Sequence, residues 1–569
     1  MNPDPERVYE PKLYQPTGRP VDPDCPALDS ALIQYEDVIT RALKETADTD
    51  RVHNLTKQQR NTFYEVKESM IDGSSDVIPP MADKDSAFVT VTPEQYKQLW
   101  KSHLDTEAYT EADQHTIPWE EIRRESVRLA KQALQSELIT PEIYRFLTKD
   151  CTGDIRYPRG TVMVKTHKPM NRGAALVAAS RLYLDTVNYC TTAWAKFLSV
   201  KLTPVREQIP NRIKDTADFI VKLQSHRFQA DCWLVSADVV EFYPNTKEAN
   251  GESVIKQFIP SELTDICLKA SRLIHRSIYV VTPLGVHKLD GRYGIGLAHS
   301  GEICDLDWSC VEQRVLASLP HDAIIIGLPF WGRLVDDYMM VMQGPIPVRM
   351  MIIEAFKAAD PGRPLKFSVS TESIDFLDVT VYKGDRFHQT GILDTKPYTK
   401  PPYTGMHLPY SSYHPRSTFD SILSGYHMRS LITSSDRAVH TQCMNMRVKS
   451  FTARGYPLNL LIKWLLQETV RTERSFKEER KKALTAKVKR ETVRVIPLKL
   501  HYTPRTRALS SKLAVPQLQK SIQKASPALG RASLGRLTLC NLKTQNLLEI
   551  CRPRGFYVQV GMASNDSQE

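Results

Sequence analysis

Gly332-Arg333-Leu334-Val335-Asp336-Asp337-Tyr338-Met339-Met340 consists of two apolar, strand-like runs that meet at a pair of adjacent carboxylates. A β-hairpin with this pattern presents both acids at its turn. Asp-Asp pairs are common in solvated turns and helix caps. Here the flanks are apolar on both sides, and ionised carboxylates between hydrophobic strands are costly unless paired or bound to a cation.

Working outward, Leu234-Val235-Ser236-Ala237-Asp238-Val239-Val240-Glu241-Phe242-Tyr243 sets one acid inside a second apolar strand. Alone, Asp238 reads equally as a strand-end residue on a sheet edge. Together with Asp336 and Asp337 it completes the three carboxylates of a two-metal phosphoryl-transfer site, in the order used by palm-domain polymerases. Two Mg²⁺ ions about 3.5–4 Å apart, or Mn²⁺ in their place, would activate a primer 3′-hydroxyl and neutralise the leaving pyrophosphate. Tyr243 lies five positions past Asp238. A flat ring beneath the sugar leaves no room for a 2′-hydroxyl and selects deoxynucleotides; the alternative is a core tyrosine.

Residues 157–393 change period repeatedly, with β-rich runs at 161–167, 232–243, 334–342 and 376–384 separated by helical stretches such as 185–198. That is an α+β pattern. Residues 1–30 and 72–85 are turn-rich and read as tail or linker, with a helical stretch at 27–55 between them. Ile117-Pro118-Trp119 opens an amphipathic helix striped by Ile122, Val127, Leu129 and Leu134, and the main domain is expected to start there. After Tyr456 the chain is helical and basic. The division that follows is an extension at 1–116, a main unit at 117–360, a connecting segment at 361–457 and a basic helical region at 458–569.

Among 569 residues, 76 Lys and Arg face 65 Asp and Glu, a formal net charge of +11 that favours a polyanionic partner. The surplus is local: 13 Lys or Arg against four Asp or Glu lie between Arg471 and Arg507. Lys481, Lys482, Lys487, Lys489 and Arg490 there suit phosphate contact or a nuclear import signal. Ten cysteines without a CxxC pair disfavour a zinc knuckle or a disulfide framework, and no apolar run spans a bilayer. The expectation is an intracellular, nuclear protein with no membrane partner.

The motifs in order resemble a reverse transcriptase, and more narrowly that of Penelope-like retroelements. Around Asp238 that family reads Asp-Val-x-x-Leu-Tyr-Thr-Asn, matched by Asp238, Val239, Phe242, Tyr243 and Asn245. At the hairpin it reads Arg-Tyr-x-Asp-Asp, matched by Arg333, Asp336 and Asp337, with Leu334 in place of Tyr. Upstream, Val164-Lys165-Thr166-His167-Lys168-Pro169 resembles its Pro-Lys-x-His-Lys fingers motif. Downstream, Phe376-Leu377-Asp378, Lys396-Pro397, Ser412-Tyr413-His414-Pro415, Arg429 and Arg454-Gly455-Tyr456-Pro457 follow its FLD, KP, S-x-HP, Arg and RGYP sequence. Ser412 to Pro415 and Arg454 to Pro457 read as structural turns.

The resemblance implies a right-hand polymerase with fingers, palm and helical thumb behind an N-terminal helical extension. It implies an RNA template, a DNA primer and deoxynucleoside triphosphates as partners. Lys165, Lys168 and Arg172 would orient the triphosphate, and Arg333 would join the basic residues in holding nucleic acid. No endonuclease or RNase H domain is evident in the chain. Two segments depart from the family. Gly-Arg-Pro-Ile is replaced by Gly173-Ala174-Ala175-Leu176, leaving Arg172 as the nearby cation. The template-gripping Gly-x-x-Met-Gly-x-x-x-Ser becomes 296–304, with Gly296 kept, a glycine displaced to Gly301, and Glu302 adding charge near phosphates. These departures favour an alternative, a catalytically defective nucleic-acid-binding protein of the same descent; a third reading is a maturase-like RNA chaperone of the same fold, which would bind one structured RNA specifically.

Overall fold

The computed structural model describes residues 83, 89, 91–153, 156–165, 180–399, 407–412, 414, 416–466, 472–485, 496–501 and 537–542. The fold is α+β. It opens with α1 (Pro93–Leu104), β1 (Tyr109–Ala112), α2 (Trp119–Gln135), α3 (Pro141–Thr148), β2 (Arg159–Val164) and β3 (Ser180–Asp185). Next come α4 (Thr192–Arg206), α5 (Thr216–Gln224), β4 (Trp233–Val239), α6 (Glu248–Phe258), α7 (Ser261–Ser277), β5 (Tyr279–Thr282) and β6 (Gly285–Leu289).

Helix α1 carries a full capping box between Thr92 and Gln95 and a proline in its first turn, so its start is set locally. It buries Leu99 and Trp100 in the main core, and β1 pairs with β6 as the edge of a five-stranded sheet ordered β1-β6-β5-β2-β3. Packing therefore begins upstream of the start expected near 117, by Val91. Helix α2 begins at Trp119 as its sequence predicts, burying Ile122 and Leu129. The helical stretch at 27–55 lies outside the described residues.

The second half of this unit is α8 (Ser300–Ser318), α9 (His321–Gly327), β7 (Phe330–Leu334), β8 (Asp337–Met342), α10 (Ile346–Lys357) and β9 (Leu365–Ser370). Strands β4, β7, β8 and β9 form an antiparallel sheet ordered β7-β8-β4-β9. With the helices between them, this is the β-α-β-β-α-β arrangement of a split βαβ unit. The sheet is buried on both faces, which is why its central strands read as unbroken apolar runs. Val235, Ala237, Val239, Tyr338, Met340 and Met342 enter the main core. On the opposite face, Leu234, Met339 and Val341 meet Phe219 and Ile220 of α5 and a small sheet of β10 (Ser373–Phe376), β11 (Val379–Tyr382) and β12 (Asp394–Pro397).

Beyond the short α11 (Asp385–Thr390), helices α12 (Arg416–Thr433), α13 (Arg437–Thr452) and α14 (Leu458–Leu466) gather Phe419, Leu423, Met444, Phe451, Tyr456, Leu461 and Trp464 into a third cluster. The Arg454–Pro457 turn is structural in this sense: Gly455 takes φ 79° and delivers Tyr456 into that cluster. Helix α15 (Glu473–Thr485) follows, and β13 (Ile496–His501) pairs in parallel with β14 (Leu537–Leu542). No helix among the described residues is long and apolar enough to cross a membrane.

Candidate active site

Residues 234, 236 and 238 share one face of β4, as do 337, 339 and 341 on β8. Toward the interior this face is covered by α5 and the small sheet; at the other end it opens, and there Asp238 stands directly opposite Asp337. Asp238 also faces Lys366 across β9. Asp336 occupies the two-residue turn between β7 and β8, its carbonyl accepting the Val239 N–H at 3.1 Å. Three carboxylates thus converge on one end of one sheet, from two strands and the turn that joins one of them to its neighbour.

Crowding marks Asp336 most. Burial, then the charge of Asp337 and that of Asp238, push its carboxyl up to about 6 from an ordinary 3.8. Arg181, on β3 of the other sheet, partly offsets this. The donor chemistry suits a hard divalent cation, which prefers carboxylate oxygen. Among the described residues, no group of three or more His, Cys, Asp or Glu side chains is drawn together as a ready-made metal site. Like-charge repulsion opposes such gathering until a cation neutralises it.

Tyr243 lies beside these acids. Glu241 turns the chain at φ 51°, and Tyr243 packs against the main core, half-buried. Burial first, then the nearby Cys304 and Asp336, raise its hydroxyl well above 10. The tyrosine is neutral and within electrostatic reach of Asp336.

Other expected residues fall elsewhere. Lys165 follows the last residue of β2; after burial, its charge is the second cause holding His103 of α1 down to about 4. Lys168, Arg172, Lys487, Lys489 and Arg490 lie outside the described residues. Lys481 and Lys482 are exposed on α15, and the Lys482 ammonium rests 2.7 Å from Glu479. Gly296 takes φ 108° with its Cα against the Leu184 carbonyl, so its role is close packing onto β3. Gly301, in the first turn of α8, has open space where a Cβ would stand. Glu302, expected to repel phosphates, is occupied by Arg206 at 3.3 Å.

Arg333 requires a correction. Expected on nucleic acid, it is 2% exposed. Its Nε donates to Glu312 at 2.6 Å, its Nη2 to Glu312 and the Asp305 carbonyl at 3.2 Å, and its Nη1 to the Asp305 carboxylate and the Val335 carbonyl. A charge so placed holds the protein rather than a phosphate. Its carboxylate partners, Asp305 and Glu312, lie on α8, and sequence reading leaves both unassigned because the helix shows no polar face. Lys366 and Arg181 were likewise missed: neither belongs to a motif, and only strand register and the approach of the two sheets bring them to the acids.

No family model matches the sequence, and no curated protein does. Among solved structures, the chain is similar to telomerase from Candida albicans in complex with a TWJ fragment of telomeric RNA, at 10% identity and TM-score 0.47 over 83% of this chain and 75% of that one. It is also similar to apo telomerase from Candida tropicalis (9%, TM-score 0.38, 88% and 83%). A third is the RNA-dependent RNA polymerase of a human picobirnavirus (10%, TM-score 0.39, 74% and 88%). These superpositions are loose, and the reading of the site rests on its own geometry. By that geometry, a split βαβ sheet with its acids at the central hairpin, the fold is of the right-hand polymerase kind.

Proposed function

We propose that the chain is an RNA-directed DNA polymerase of retroelement type, extending a primer 3′-hydroxyl with deoxynucleoside triphosphates along an RNA template. The observation that carries this reading is the direct facing of Asp238 and Asp337 across β4 and β8, with Asp336 at the adjoining turn. Asp238, Asp336 and Asp337 would hold two Mg²⁺ or Mn²⁺ ions, which supply Lewis acidity to the attacking hydroxyl and the departing pyrophosphate. Tyr243 supports the sugar and excludes a 2′-hydroxyl. Lys366 and Arg181 set positive charge at the edge of the acids, where a triphosphate is drawn in. Lys165 orients that triphosphate, a role the sequence also gives Lys168 and Arg172. No protein nucleophile is needed.

In this reading the five-stranded sheet is fingers, the β7-β8-β4-β9 sheet is palm, and α12 to α15 form a thumb that grips the duplex by its phosphates. The basic run near Lys481 to Arg490 also serves nuclear import. A second reading, a nucleic-acid-binding protein of the same descent without synthesis, is favoured by one observation: Gly296 and Glu302 are spent on internal packing and pairing, not turned to a template.

Primer extension separates the two. Purified protein with Mg²⁺, deoxynucleotides and a DNA primer on an RNA template is expected to extend, and the Asp336→Asn/Asp337→Asn variant to lose extension while still binding the duplex. Binding without extension by the unaltered chain would establish the second reading.

A further inference from the structure

Beneath the acid-bearing turn lies a set of buried and half-buried charges. Asp305 and Glu312 of α8 face the Arg333 guanidinium, and every N–H of that guanidinium is engaged: Nε by Glu312, Nη2 by Glu312 and the Asp305 carbonyl, Nη1 by the Asp305 carboxylate and the Val335 carbonyl. Asp305 takes a second arginine, Arg206 Nε, at 2.6 Å, with Arg212 3.6 Å away. Glu312 also accepts the Tyr338 hydroxyl. Three arginines thus meet Asp305, Glu312 and Glu302, and the charges balance.

The turn above has a backbone it would not choose. Val335 takes φ 60°, a region that costs a β-branched residue on the order of 1–3 kcal/mol and persists only when its surroundings impose it. Among the described residues, the one side-chain donor reaching its carbonyl is Arg333 Nη1, at 2.6 Å. Asp336 is the next residue. We propose that Arg333, clamped by Asp305 and Glu312, is the positioning residue of this site: it holds Val335 left-handed and so sets where the Asp336 carboxylate points. The proposal deepens the polymerase reading and rests on it for the consequence at the metal.

Lysine at 333 keeps the charge but lacks the planar fork, and cannot span two carboxylates and a carbonyl together. Arg333→Lys should therefore stay folded while loosening the turn. The test is amide hydrogen exchange across 330–342, with Mn²⁺ binding followed by electron paramagnetic resonance, on the full chain and on Arg333→Lys, Val335→Gly and the double variant. Exchange at the turn is expected to quicken about tenfold in Arg333→Lys, and Mn²⁺ affinity to fall about tenfold, the size of loss typical when support behind a ligand is removed. Glycine adopts the left-handed turn without strain. In the Val335→Gly background the same Arg333→Lys change should therefore cost much less. Losses that simply add, or a lower unfolding midpoint with turn exchange and Mn²⁺ affinity unchanged, would overturn the proposal and leave Arg333 a core ion pair. Failure of the unaltered protein to bind Mn²⁺ through Asp336 would instead count against the polymerase reading, and the exchange cycle would still decide what holds the turn.

Discussion

Asp336 is the residue whose protonation should be visible in solution. Its folded carboxyl titrates near 6, whereas the unfolded chain releases the proton near 3.8. The metal-free folded state holds a proton that the unfolded state has lost. The resulting stabilisation is in full below about pH 4 and disappears as pH rises through about 6. Asp336→Asn removes the charge that causes the loss. Metal-free variant and parent should have similar urea midpoints near pH 4. By about pH 7.5 the variant should be ahead by ~1–2 kcal/mol, after allowance for the partial exposure of the site. A pH-independent difference would show that the three acids do not repel one another as their placement implies. The same variant should lose primer extension, because amide oxygen is a poor substitute for carboxylate toward a hard divalent ion. Tyr243→Ala is expected to admit ribonucleotides, scored by competing ribo- and deoxynucleotide incorporation; unchanged selectivity would leave the ring a packing group.

Among the elements, the 290–299 connection does more than its sequence suggests. The departure at 296–304 reads as damage to a template contact, yet the segment has internal work. The Leu184 N–H donates to the Ile295 carbonyl at 2.8 Å, Gly296 lies against the Leu184 carbonyl, and His299 is buried beside His275 and Tyr293. Burial, then the neighbouring His275, holds the His299 imidazole neutral, down to about 3. Gly296→Ala adds a methyl into backbone at a positive φ, and should cost about 3 kcal/mol or more by chemical denaturation. A loss under about 1 kcal/mol would mean that the connection can swing away from β3, and that the two sheets are joined less firmly than their packing indicates. The β10–β11 turn repeats the logic of the acid hairpin, with Leu377 at φ 53° ahead of Asp378. There the acid is answered by Arg429 of α12 at 2.9 Å and by the Thr216 hydroxyl at 3.4 Å, so two residues 51 positions apart in the sequence form one contact.

Across the whole molecule, that Asp378–Arg429 pair and Arg480, which donates to Gln224 at 3.1 Å, tie the C-terminal helices to the β10–β11 turn and α5. Duplex binding by this half should be electrostatic and fall steeply with salt. Lys481→Ala is expected to lower the log–log salt slope by about one, and Lys482→Ala by less, since Glu479 already neutralises part of its charge. Equal slopes in both variants and the parent would remove α15 from the interface. The hairpin acids and the α+β alternation were legible in the chain, because alternation and apolar runs are properties of neighbouring residues; the region after 458, expected to be helical, carries α14 and α15 but also the parallel β13–β14 pair, which no local pattern announced. Asp238 and the Asp336–Asp337 turn could be paired in reading only through motif order. Their facing is a matter of register between strands nearly a hundred residues apart, and so is the arrival of Lys366. Arg333 shows the limit most clearly: the motif resemblance made it a nucleic-acid contact, and only the packing of α8 beneath the turn, which brings Asp305 and Glu312 to its guanidinium, made it part of the frame.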